Sequence, residues 1–72
     1  MKRRQVWEII ERFDGTFTVT RGNRVVRGFA TGTATLAWEL VARTWQPGEK
    51  VWQVEEDGYR TDVTKQFERA SR

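Results

Sequence analysis

The chain has no cysteine, no histidine and a single proline among its 72 residues. Without cysteine, no disulfide can staple the fold and no thiolate can hold zinc. Without histidine, the commonest general base, metal ligand and neutral-pH switch is missing. No run approaches the roughly 18 apolar residues needed to cross a bilayer. The opening Met1-Lys2-Arg3-Arg4 leads into Trp7, Glu8, Ile9, Ile10 and Glu11, a mixture unlike the apolar stretch of a secretory leader. A cytoplasmic protein with no membrane partner is the expectation. Gly28 and Gly32 lack the trailing Gly-Lys-Ser/Thr of a phosphate loop. Glu55, Glu56 and Asp57 sit beside a turn signal, and Glu8 and Glu11 fall on opposite faces of one strand, so no carboxylate pair is set up for acid–base work. The expectation is therefore a protein that is not an enzyme and uses no metal and no cofactor.

A chain this short holds one domain, residues 1–72, and buries only about 60% of the surface its unfolded form exposes. Four tryptophans and four phenylalanines are the main core-filling material. Thirteen basic residues against ten acidic ones give a net charge of +3. The distribution is uneven. Residues 1–30 hold Lys2, Arg3, Arg4, Arg12, Arg21, Arg24 and Arg27 against Glu8, Glu11 and Asp14, so the positive field belongs to the first half. The basic start 1–5 and the polar tail 65–72 read as flexible ends.

Three tight-turn signals divide the chain. Asp14-Gly15 and Gly22-Asn23 separate three β-prone runs, the middle one a clean alternation Thr16-Phe17-Thr18-Val19-Thr20. Residues 33–46 read as a helix, capped by Thr31 or Thr33, with a core face of Ala37, Leu40, Val41 and Thr44, stopped by Pro47-Gly48. Asp57-Gly58 then joins 51–56 to 59–64 as a last hairpin. The fold class is α+β: an antiparallel sheet of about five strands in the order β-β-β-α-β-β, with one helix packed on one face.

Two-residue turns would set Arg12 opposite Phe17, Ile10 opposite Val19, and Val19 opposite Val26. Val6, Ile10, Phe17, Val19 and Val26 then face the core. Trp7, Ile9, Phe13, Val25 and Phe29 lie on the other face among threonines and Arg27. In the last hairpin Trp52, Val54, Thr61 and Val63 fall together. The helix carries a wide apolar arc from Leu36 to Trp38, Ala42 and Trp45, leaving Glu39, Arg43 and Gln46 polar.

Aromatics on an open sheet flanked by arginines are a nucleic-acid arrangement: the rings stack bases and the arginines neutralise phosphates. The candidate residues are Lys2, Arg3, Arg4, Trp7, Phe13, Arg21, Arg24, Arg27 and Phe29, with DNA favoured over RNA and a regulatory or accessory role expected. A meander lying in the major groove is a second way to use the same face. The alternative is a protein interface, with a second copy of the chain or with a host protein. Its anchors would be Trp38 and Trp45, seven residues apart on one flank of the helix.

The run Trp7-Glu8-Ile9-Ile10, Asp14-Gly15, Phe17-Thr18-Val19, Gly22-Asn23-Arg24, Phe29-Ala30-Thr31, 34–43 and Asp57-Gly58 resembles a small bacterial family of uncharacterised β-hairpin, helix, β-hairpin domains. The first half, with Phe29-Ala30-Thr31 leading into an alanine-bearing helix, is also similar to the arm-binding domains of phage-type integrases and to plant AP2 domains. That likeness implies DNA reading by the sheet. Phe17 stands where those domains usually carry tryptophan, and the last hairpin is extra to their layout.

Overall fold

A computed structural model describes residues 5–70, the side chain of Ala70 excepted. The elements are β1 (Val6–Glu11), β2 (Phe17–Arg21), β3 (Arg24–Phe29), α1 (Ala34–Thr44), β4 (Lys50–Val54), β5 (Arg60–Asp62) and α2 (Thr64–Ala70). They form a five-stranded sheet in the order β3-β2-β1-β4-β5. The β-β-β-α-β-β succession is as the turn signals indicate. The sheet is mixed, however, because β1 and β4 pair in parallel. The reason is topological. A strand–helix–strand connection returns the chain to its starting end, so β4 runs with β3 and therefore with β1.

Register is where the sequence reading fails, and the cause is one turn type used twice. Arg12 N–H donates to Thr16 O at 2.8 Å and Gly15 N–H to Arg12 O at 2.9 Å, which makes the loop three residues long. Glu55, Gly58 and Tyr59 repeat the pattern at 2.8 and 2.9 Å. Gly15 and Gly58 take φ of +84° and +91°, while neither aspartate has positive φ. This is a type I turn followed by a left-handed glycine, not the two-residue turn that Asp-Gly suggests. Asp14 Oδ1 supports it by accepting from Thr16 N–H (3.0 Å) and Thr16 Oγ1 (2.6 Å).

One extra loop residue slips each hairpin by one. Ile9, not Ile10, lies opposite Val19, and Glu11, not Arg12, opposite Phe17. The core strand therefore turns Trp7 and Ile9 inward and leaves Val6 and Ile10 on the other face. Ile9 and Ile10 are equivalent in size, so Trp7 against Val6 decides between the registers. Burying the larger side chain removes more apolar surface from water, at about 25 cal/mol per Å². The last hairpin slips likewise. Trp52 and Val54 pair with Asp62 and Arg60 on the open face, away from Thr61 and the buried Val63.

Both helices lie on one side of the sheet. Ala37 and Val41 of α1 and Phe67 of α2 pack with Trp7, Ile9, Val19, Val51, Trp45 and Val63, while Phe17, Phe29, Trp38 and Leu40 border this cluster. Thr44 is exposed, outside the core face expected for it. Neither expected cap forms. Thr33 occupies the cap position, but its hydroxyl bonds Ala30 O, and that of Thr31 bonds Asp14 O at 3.0 Å. The polar tail is the other correction. Residues Thr64–Ala70 are helical and Phe67 is buried. Val63 and Phe67, four apart, make a single apolar stripe. Thr64 Oγ1 accepts from Val51 N–H at 2.9 Å and pins the helix start to β4.

Candidate nucleic-acid interface

The slip dismantles the expected stacking platform. Trp7 is 2% exposed, and Phe29 is half-buried beneath α1 with the Arg27 guanidinium 5.3 Å from its ring. Only Phe13 is open, 89% exposed at the tip of its loop. On the open face of the sheet, Trp52 is covered by Arg60, 4.8 Å from its ring, and Arg60 also pairs with Glu8 at 3.1 Å. Lys50 pairs with Asp62 at 3.7 Å. Beside these cross-strand partners that face carries threonines and the apolar Val6, Ile10 and Val25.

Arg21 is also committed. Its guanidinium lies 5.3 Å over Trp7 and donates to Glu49 Oε2 from Nη2 (2.6 Å) and Nε (3.1 Å). Glu49 is 4% exposed and collects three more bonds. Trp7 Nε1 (2.9 Å) and Gln46 N–H (2.7 Å) donate to Oε1, and Trp45 Nε1 donates to the Glu49 carbonyl (2.9 Å). Burial pushes this carboxyl up, but the donors from Trp7, Arg21 and Gln46 outweigh it and hold the group below its ordinary range. The cluster ties the segment after α1 to the first two strands. Nothing in the local sequence marked Glu49 out. Its partners lie up to 42 residues away and meet it only once the sheet is built.

Arg24 and Arg27 are brought together by a β-bulge. Arg24 pairs with Arg21 and Val25 with Thr20, but Arg27 pairs with Val19, leaving Val26 as the extra residue. In an unbroken strand, positions 24 and 27 would face opposite sides. The bulge puts both on the helix side of the edge strand. Arg43 of α1 joins Arg27. With Arg27 it rims a groove of about 190 Å³ whose lining includes Phe29, Leu36, Glu39 and Leu40. Among the described residues, no ion pair involves Arg24, Arg27 or Arg43. The signal for Arg43 was absent from the sequence because its neighbours come from β3.

The basic start, Lys2, Arg3 and Arg4, lies outside the described residues. Gln5, to which it is joined, lines a shallow cavity with Arg21, Asn23 and Arg24 at the β2–β3 turn. The loops 12–16 and 55–59 lie at the opposite end of the sheet, because β1 and β4 are parallel. They carry Asp14, Glu55, Glu56 and Asp57 against Arg12 alone. These loops make one end of the strands acidic, while the β2–β3 turn at the other end carries Arg24 and the Glu49-paired Arg21.

The anchors of the protein-interface alternative are drawn inward. Trp45 is a core residue, and Trp38 stacks on Phe67 with centroids 4.9 Å apart and planes at 12°. Among the described residues there is no group of three or more His, Cys, Asp or Glu that could hold a metal, and no helix is long and apolar enough to cross a membrane. Comparison of the chain with protein-family models, with curated proteins and with solved structures finds no match in any of the three.

Proposed function

We propose that this chain is a small non-enzymatic nucleic-acid-binding protein, regulatory or accessory in role, that grips DNA through its phosphates and not through stacked bases. The contacts are Arg24 and Arg27 on the β2–β3 ribbon, with Lys2, Arg3 and Arg4 joined to the same end. The observation that carries this reading is the bulge at Val26, which sets Arg24 and Arg27 on one side of an exposed edge strand with no carboxylate paired to either among the described residues. The concentration of acidic loops at the far end supports it, because it leaves Arg24, at the β2–β3 turn, remote from those carboxylates.

Shape narrows the mode. Five strands spaced about 4.8 Å apart make a sheet about 20 Å across, wider than the ~12 Å major groove. A two-stranded ribbon fits that groove, so β2–β3 enters and the sheet does not. Arg21, held by Glu49, acts as the ribbon's brace.

Fluorescence anisotropy with labelled duplex and single-stranded DNA, at two salt concentrations, tests the proposal. Five neutralised phosphates give a slope of log affinity on log salt near −4.5, about a 500-fold loss from 50 to 200 mM. Arg24→Ala and Arg27→Ala should each flatten the slope by about one. Absence of binding at low salt, or binding indifferent to salt, overturns it.

A further inference from the structure

Val6, Val25, Val26 and Tyr59 are exposed apolar side chains, and apart from them stand two apolar features that match each other. Phe13 projects from the β1–β2 loop, 89% exposed, between Arg12 and Asp14. The β3–α1 groove is half-open, with Leu36 49% exposed at its mouth, Phe29 and Leu40 in its wall, and Arg27, Arg43 and Glu39 around it. A protruding ring flanked by one base and one acid thus faces a seat bordered by bases and one acid. Arg12 can meet Glu39, and Asp14 can meet Arg27 or Arg43.

We infer that this surface is a self-association site, in which Phe13 of one copy seats in the β3–α1 groove of a second. The complementarity of charge and apolar surface within one chain selects a second copy as the occupant. The loop and the segment leading into the groove are joined where Thr31 Oγ1 donates to Asp14 O at 3.0 Å, and a dimer with a two-fold axis would fill both seats at once. The alternative of pairing β3 with β3 edge to edge is opposed by like charge. An antiparallel pairing centred between Val25 and Val26 sets Arg24 against the Arg27 of the other copy, which destabilises. Such a dimer does not depend on nucleic acid, and Arg24 is not among the residues that line the seat.

Sedimentation equilibrium on the full chain, free of nucleic acid, from micromolar to millimolar concentration tests this. The wild type should rise towards twice the 8.5 kDa of one chain. Phe13→Ala and Leu36→Glu each alter an exposed side chain, so the fold persists, which circular dichroism would verify. Each should weaken association about 30-fold, the size of an interface hot spot. An equimolar mixture of the two variants keeps one intact seat and should associate more strongly than either variant alone. A wild type that stays monomeric at millimolar concentration overturns the inference, as does a dimer unaffected by Phe13→Ala. Arg27 borders both surfaces, so Phe13, which is outside the phosphate contacts, keeps the two tests apart: Phe13→Ala should lose self-association and keep its salt-dependent DNA binding.

Discussion

The two ends of the sheet handle charge in opposite ways. At the end where β1 begins, Glu49 is taken out of water and surrounded by donors from Trp7, Arg21 and Gln46. At the end where β1 finishes, Asp14 and Asp57 stay in water and bond only the residue two positions on, in their own loops. A buried carboxylate bonded to three separate segments is part of the fold's specification. An exposed one shapes a turn and leaves its charge in the surrounding field. The contrast predicts a steep gradient in mutational cost from the first end to the second.

Breaking the first end should have the largest effect. Glu49→Ala leaves the Trp7 indole N–H and the Gln46 N–H without partners and strands a guanidinium over a buried ring. Removing one partner of such a cluster costs about 3 kcal/mol or more, a large share of what a domain this small has to spare. Urea denaturation should show it. Glu49→Gln keeps an acceptor but loses the charge, and should fall about midway.

Acid acts on the same contrast. Glu49, Asp14 and Asp62 all titrate below their ordinary values of 4.5, 3.8 and 3.8. A depressed folded value means the unfolded chain binds protons first. The stabilisation is therefore complete above those ordinary values and is lost as pH falls through the lower folded ones. Urea midpoints should be flat from pH 7 to 5 and drop below about pH 4. In Glu49→Gln the drop should shrink, because the buried carboxylate is the group whose charge is most fully engaged. An undiminished acid limb would assign it to Asp14 and Asp62 instead.

The loops allow a finer comparison. Gly15 and Gly58 hold the same left-handed position in the same turn type, but a Cβ at Gly15 would lie 3.1 Å from Thr31 Cγ2, while one at Gly58 would meet nothing. Alanine in the left-handed region costs about 1–2 kcal/mol. Gly58→Ala should fall at the low end of that range and Gly15→Ala at the high end, both by urea denaturation. Equal losses would show that backbone conformation alone sets the cost.

The strand count, the helix and the three turn sites could be read from the sequence because each rests on local chemistry: alternation in Phe17-Thr18-Val19, Pro47-Gly48 as a stop, glycine at each turn. The faces could not. Asp-Gly is compatible with loops of two or three residues, and that single residue decides whether Trp7 or Val6 is buried. A cue was present in the sizes of the side chains, since the correct register buries the tryptophan. The parallel pairing of β1 with β4, the bulge at Val26 and the Glu49 cluster join residues far apart in the chain, and periodicity carries no trace of them. The candidate site divided along the same line. Arg24 and Arg27 stayed exposed because charge keeps them there, while Trp7 and Trp45 were claimed by the core and Phe29 was half-covered by α1.

The smallest effect is expected at Phe13, and its smallness is informative. The side chain is 89% exposed and belongs to no core cluster, so Phe13→Ala should change the urea midpoint by no more than about 0.5 kcal/mol. Trp7, six residues earlier in the same hairpin, is 2% exposed and should cost about 3–5 kcal/mol on truncation. An aromatic that adds nothing to the stability of its own chain, on a loop turned by a left-handed glycine, leaves a large apolar surface in water. If the variant proves as stable as the wild type, any loss of self-association it causes is a property of the surface. If it proves markedly less stable, Phe13 packs on its own chain in solution, and the two ends of the sheet are less different than their burial implies.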